Sequence, residues 1–195
     1  MGWGRYPKAT ADLIEPADAQ SLQKIVASQK KSASCISRGA GRSYGDSALA
    51  GQLIGSRFLD SFLALDEQQQ TLRCGAGVKL GDILKVCLPR GLFLPVLPGT
   101  KAVSVGGAIA ADVHGKNHHR DGSFCQHVIQ ISLVLASGEV VSCSATQNQE
   151  LFRASCGGMG LTGAIVEATL RLAAVPSRYI DQRSLVANNL QECFA

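Results

Sequence analysis

Apolar positions along the chain change period from segment to segment and so divide it into short strands and amphipathic helices. Leu80, Ile83, Leu84, Cys87 and Leu88 fall at i, i+3, i+4, i+7 and i+8, which predicts a helix with one buried stripe, ended by Pro89 and Gly91. Leu22, Ile25 and Val26 share a face of a second helix, predicted over residues 18–30 with Asp18 near its N-terminus. A short strand over 12–16 precedes it, and a strand over 34–37 runs straight into a glycine-rich loop. After a polar stretch, residues 71–74 read as a strand closed by Gly75-Ala76-Gly77.

A run rich in Gly and Ala at 103–112 predicts a tightly packed helix, beginning soon after Pro98-Gly99-Thr100. Two strands, 128–136 and 139–144, are joined by the hairpin signal Ser137-Gly138. A short helix over 147–155 has Thr146 as its predicted N-cap, residues 157–160 make a tight glycine turn, and 164–175 alternate like an antiparallel strand. The tail after Pro176 contains no glycine, with a helix predicted from about Asn188. The fold class expected is α+β in two lobes, 1–98 and 99–175, with 176–195 opening a further domain.

Composition narrows the functional classes. The chain has 195 residues, 46% hydrophobic and 17% charged, with a net charge of +4, so it is neither disordered nor strongly polyionic. The longest basic run is Lys30-Lys31 and no aromatics interleave with the cations, which argues against nucleic acid as a partner. Aliphatic stretches are strand-sized, and the first residues lack the apolar core of a secretory signal. Seven cysteines without a Cys-x-x-Cys pattern read as reduced thiols, so the expected location is cytoplasmic, with peripheral membrane association as the alternative. Glycine is the unusual count: 21 residues, five of them between Gly39 and Gly55 and none after Gly163.

Three of the glycine-rich stretches carry candidate chemistry. In Arg38-Gly39-Ala40-Gly41-Arg42-Ser43-Tyr44-Gly45-Asp46, Gly39, Gly41 and Gly45 can take positive φ and turn successive N–H groups towards one anion, with Arg42 and Ser43 adding donors. The competing reading is a plain glycine turn. A dinucleotide fingerprint of the Rossmann type fails, because Tyr44 stands where its third glycine belongs and no helix follows directly. A Walker-type loop around Gly115-Lys116 fails because Ala110 and Asn117 stand at its first and last positions.

The second stretch runs from Pro98-Gly99-Thr100 through Ser104, Gly106, Gly107 and Ala108 to His114-Gly115-Lys116-Asn117-His118-His119. A Gly-Gly pair at a helix start admits a large planar or phosphorylated ligand, and His114, Lys116, Asn117 and His118 supply polar groups beyond it. A metal at His114 and His118 lacks a third ligand at a standard spacing, so none is expected; a polar surface loop is the remaining alternative. The third stretch, 157–166, is weak alone but is explained together with the others by one extended ligand.

At these residues the chain resembles flavoproteins of the vanillyl-alcohol-oxidase type, which carry a PCMH-type FAD-binding domain, and most closely the branch acting on decaprenylphosphoryl-ribose. The resemblance rests on residues 38–46, 94–100 and 157–166, and above all on the His-Gly-Lys-Asn-His-His string at 114–119. It implies that Gly39, Ala40, Gly41, Arg42, Ser43, Tyr44 and Gly45 wrap the FAD pyrophosphate, with Ser47 and Ala48 close behind. Pro98, Gly99, Thr100 and Ser104 would line the dinucleotide, Gly106, Gly107 and Ala108 would approach the flavin, and His114, Gly115 and Asn117 would lie along it. Ile165 would present backbone groups to the adenine, while Tyr44 and Lys116 would border the substrate side; Tyr44, His114 and Lys116 are the catalytic candidates. Arg42 stands where some members carry a histidine that bonds FAD covalently, so FAD is expected to be non-covalent.

The activity implied is oxidation of a sugar or polyol hydroxyl. Its partners would be a small or lipid-linked sugar, an electron acceptor, and a substrate domain or second subunit that covers the flavin. Without that cover the chain alone is expected not to turn over. Alternatives are an aldonolactone or alditol oxidase, or a non-catalytic FAD-binding partner subunit.

Overall fold

A computed structural model describes residues 1–28 and 35–194. The predicted C-terminal end of the first helix, Lys30, and the first residue of the following strand, Ser34, lie outside those residues. Strand β1 (Asp12–Ile14), helix α1 (Ala19–Ser28), β2 (Cys35–Arg38) and β3 (Gln52–Gly55) make a three-stranded parallel sheet in the order β1-β3-β2, with Leu53 opposite both Leu13 and Ile36. Asp18 starts α1 as expected. Its carboxylate accepts the Ser21 N–H at 2.7 Å, and these Ser21 hydrogen bonds hold its carboxyl below the usual range.

The larger sheet is antiparallel, with five strands. They are β4 (Phe62–Asp66), β5 (Thr71–Gly75), β7 (Val128–Val134), β8 (Val140–Ser144) and β9 (Ala164–Arg171), in the order β4-β5-β9-β7-β8. β6 (Leu92–Phe93) and β10 (Ala173–Ala174) form a separate two-stranded ribbon, so the predicted strand over 164–175 breaks after Arg171. Helix α2 (Leu80–Cys87) buries Leu80, Ile83 and Cys87 completely, and Gly91 in left-handed conformation (φ 69°) closes the turn after it. α3 (Val105–Ala110), α4 (His118–Asp121), α5 (Gln149–Ser155) and α6 (Leu190–Cys193) complete the elements.

Four expectations change. The polar stretch contains β3 and β4; β4 is an edge strand with most of its side chains in solvent, so no alternation marks it. The helix predicted over 103–112 is only six residues long. Ser104 caps it by accepting the Gly107 N–H, and Asp112 (φ 38°) leaves helical geometry. Thr146 caps nothing: the Ser144 hydroxyl takes the Thr146 and Gln147 N–H groups at 3.2 and 3.1 Å, and the helix begins after Asn148, which has φ 49°. A division at residue 98 does not follow a sheet boundary, since β4 and β5 hydrogen-bond into the same sheet as β7, β8 and β9.

The main core lies between the large sheet, α2 and α3, and includes Leu72, Ile83, Val105, Ile109, Ile131 and Leu170. A second cluster seats α1 on the large sheet, through Leu22, Val26, Ile54, Val134 and Val166. Cys74, Cys87 and Cys143 are core residues and all seven cysteines are free thiols. Burial pushes the Cys74 thiol up to about 12, so it stays neutral and packs as an apolar group. No helix among the described residues is long and apolar enough to cross a membrane.

The two sheets are knit together where β5 ends. The Gly77 N–H donates to the Leu59 carbonyl at 2.8 Å, and a Cβ on Gly77 would meet the Ser56 carbonyl oxygen at 1.9 Å. Gly77→Ala should therefore destabilise the fold by about 1–3 kcal/mol in urea denaturation. Gly51→Ala, where a Cβ meets nothing within 4 Å, should stay within about 0.5 kcal/mol of the unaltered chain. Equal effects would contradict the junction described here.

Candidate functional site

The site grows from the end of β2. Its last residue, Arg38, is anchored by donating from Nη1 to the Ala48 carbonyl (3.1 Å) and from Nη2 to the Met1 carbonyl (2.6 Å). The loop that follows adopts left-handed φ at Gly41 (67°) and Gly45 (63°), as a nest of N–H groups requires. Among the described residues, no N–H of residues 39–43 donates to any acceptor. Peptide donors left in this state need water or a ligand as partner. Neither Arg38 nor Arg42 pairs with a carboxylate among the described residues, so two cations flank those donors.

Opposite the loop stands the start of α3. The Val105 and Gly106 N–H groups donate to the Val78 and Ala76 carbonyls, both at 2.8 Å, which pins α3 across the end of β5. Gly106 serves that contact, since a Cβ there would lie 3.0 Å from the Ala76 Cβ. Gly107 faces the other way and lines the cleft. Of the glycine pair expected to face the ligand, Gly107 lines the cleft, while Gly106 packs on Ala76 and reaches only the recess beside it.

Between loop and helix lies a cleft of about 580 Å³, within the range of small-molecule sites. It brings together residues 39–44, Ser47, Ala48, Pro98, Gly99, Thr100, Ser104 and Gly107 from the predicted set. A narrower recess of about 80 Å³ continues from it and adds Gly106 and Ile165. A third hollow, about 590 Å³, shares Arg38 to Arg42 with the first; Glu15, Arg57, Asp60, Lys79 and Asp82 give it charged walls.

Other predicted residues lie elsewhere. Gly45 lines none of these three hollows, and Ala108 is fully buried in the main core. His114, Gly115, Lys116 and Asn117 stand outside the three linings. Asn117 works as scaffold, donating from Nδ2 to the Pro95 carbonyl (2.9 Å) and to Asp121 (2.7 Å), beside the loop that carries Pro98 to Thr100. A Cβ on Gly115 would meet the Leu97 carbonyl oxygen at 2.6 Å, so the His-Gly-Lys-Asn string packs directly under that loop. Lys116 is exposed, and the His114 and His118 rings meet edge to face 5.2 Å apart. Among the described residues, no group of three or more His, Cys, Asp or Glu could hold a metal.

Several lining residues stand outside the predicted site set. Trp3, Val103, Ala111, Val113 and Met159 supply much of the apolar wall, and Met159 reaches it through left-handed φ (53°) in the glycine turn after α5. Its N–H is held by the Ala110 carbonyl at 2.8 Å, which makes the third glycine stretch part of the site.

The donors, cations and apolar walls fit a dinucleotide with a planar ring system. Comparison with known proteins agrees. A family model described as "FAD binding domain" matches residues 10–144. The chain is 40% identical to decaprenylphosphoryl-beta-D-ribose oxidase of Mycolicibacterium smegmatis, across all of this chain and 44% of that protein. It is 28% identical to a putative D-arabinono-1,4-lactone oxidase of Neurospora crassa, over 84% of this chain and 29% of the relative. It is 26% identical to cytokinin dehydrogenase 2 of Arabidopsis thaliana, over 83% of this chain and 32% of the relative. The chain spans less than half the length of these relatives.

The loop geometry can be tested at Gly41. A valine there meets Arg38 Nη2 at 2.8 Å from its Cβ and must hold φ near 67°, a strain of about 1–3 kcal/mol. Gly41→Val should abolish retention of FAD through gel filtration while circular dichroism stays unchanged. Undiminished retention would reduce the loop to a turn.

Proposed function

The chain belongs to the family of FAD-binding domains and takes FAD as its cofactor, and on that premise we propose that it is the FAD-binding part of an oxidoreductase acting on a sugar or polyol hydroxyl. The single observation that carries this reading is the run of acceptor-free N–H groups at residues 39–43 on the wall of an apolar cleft. Those groups, with Arg38 and Arg42, hold the FAD pyrophosphate. Ser47 and Ala48 back the loop, and Pro98, Gly99, Thr100, Ser104 and Gly107 line the dinucleotide. Ile165 borders the narrow recess and takes the adenine. The two lobes of a PCMH-type domain correspond to the parallel sheet with α1 and to the larger antiparallel sheet with α2 and α3, and the cofactor lies where β2 and α3 face each other.

Bound FAD supplies an acceptor for hydride leaving a carbinol carbon. The apolar wall of Val103, Val113 and Met159 excludes water from that end. Tyr44 and Lys116 border the substrate side, where the Lys116 ammonium orients a hydroxyl by donating to its oxygen. His114, whose Nδ1 lies 3.4 Å from the Gly115 carbonyl, is the residue that takes the proton of that hydroxyl. A covering substrate domain or second subunit closes the flavin face, so this chain alone does not turn over. The likeness to the ribose oxidase, the stronger of the two sugar-linked ones, favours a lipid-linked or phosphorylated sugar. The lactone oxidase likeness supports an aldonolactone or alditol as the second reading. An electron acceptor, a cytoplasmic location and the absence of nucleic acid among its partners complete the proposal.

One experiment tests it. The purified chain mixed with FAD should show flavin absorbance bands after desalting. Acid precipitation should then release all the flavin, because Arg42 cannot form the covalent bond. Anaerobic addition of a phosphorylated pentose or an alditol should leave the bands unbleached. Colour remaining in the pellet contradicts non-covalent binding, bleaching at enzymatic rates contradicts the need for a covering domain, and absence of bands contradicts the site.

A further inference from the structure

The first residues of the chain precede the stretch matched by the family model, which begins at residue 10. They are nevertheless fastened to the glycine loop. The Trp3 N–H donates to the Ser43 carbonyl at 2.7 Å, and Arg38 holds the Met1 carbonyl. A Cβ on Gly2 would lie 2.4 Å from the Ser43 carbonyl oxygen, so glycine permits backbone to rest on backbone there. Two residues on, a Cβ at Gly4 would touch the Tyr44 ring at 3.3 Å. The Arg42 guanidinium lies 4.5 Å from the centroid of the Trp3 ring.

Held this way, Trp3 forms part of the wall of the apolar cleft between loop and helix, while 48% of it remains exposed. A large aromatic side chain left half in water at the edge of an apolar hollow gains its contact only when something fills the hollow. From these contacts we infer that residues 1–5 form a strap belonging to the FAD site, in which Trp3 touches the bound cofactor and its stack with Arg42 steadies the loop. This rests on the reading that FAD occupies this cleft. The strap connects two functions in one segment. Its main-chain bonds fix the loop from outside, and its indole closes the cleft from the side that the family model does not cover.

Trp3 is the sole tryptophan, which makes the contact directly measurable. An indole touching an excited flavin quenches its emission by electron transfer, whereas phenylalanine does not. The full chain, Trp3→Phe and Trp3→Ala are loaded with FAD, and flavin fluorescence lifetime and FAD dissociation constant are measured for each. The unaltered complex should show a short lifetime. Both variants should lengthen it several-fold, and Trp3→Ala should weaken FAD binding about tenfold, the loss of one aromatic contact. Trp3→Phe keeps an aromatic wall and should weaken binding by less than about threefold. An unchanged lifetime in Trp3→Phe overturns the contact whatever the affinities do, and an unchanged dissociation constant in Trp3→Ala overturns the strap. A flavin-loaded chain with both readouts unmoved leaves the FAD site standing and removes Trp3 from it; a chain that takes up no FAD overturns both.

Discussion

Peptide N–H groups without acceptors are the constraint around which this molecule is organised. Folded chains pair nearly all buried donors, whereas donors in an exposed or half-buried loop are met by water until a ligand takes its place. Here, among the described residues, the whole run at 39–43 lacks a protein acceptor, and two unpaired arginines stand beside it. Arg38 is held by the Ala48 and Met1 carbonyls and Arg42 by the Ala40 carbonyl, so both charges stay beside the loop. An anion placed there would meet both the open N–H groups and the two cations, which is the property that separates a phosphate nest from a plain turn.

Holding the loop open falls to the junction between the sheets. β2 delivers the loop from the parallel sheet, while α3 is pinned to Ala76 and Val78 at the end of β5 in the antiparallel one. Glycines at 75, 77 and 106 allow that junction because each would place a Cβ within 3.0 Å of a neighbouring atom. Their role is packing, while Gly41 and Gly107 serve the cleft. The Asn117 bond to Pro95, and Gly115 against Leu97, prop the opposite wall from beneath. The cleft is therefore a seam between two sheets, which a shared apolar cluster of Leu22, Ile54, Val134 and Val166 also joins.

Legibility in the sequence tracked how local the determining physics was. The stripe of α2 and the cap of α1 depend on residues within one or two turns, and both were readable from spacing and residue type. The loop after β2 was readable for the same reason. β4 was hidden because an edge strand exposed on most of its length shows no alternation. The short extent of α3 was hidden because Asp112, which ends it, also takes the Cys125 N–H, a contact thirteen residues away. Trp3 and Val113 reach the cleft only through tertiary folding, and no local pattern marks them. The His-Gly-Lys-Asn string pointed to the right family, yet Gly115 and Asn117 are placed to support the cleft from below.

The central claim is that the N–H groups of residues 39–43 are the acceptors' partners in the bound state. Two-dimensional ¹H–¹⁵N spectra of the labelled chain, recorded as FAD is added, test it most directly. The account predicts that amide protons of Gly39, Ala40, Gly41, Arg42 and Ser43 move downfield together and become protected from exchange, as charge-assisted hydrogen bonds form. Saturable FAD binding that leaves those five signals in place, with the shifts gathered elsewhere on the chain, would contradict it.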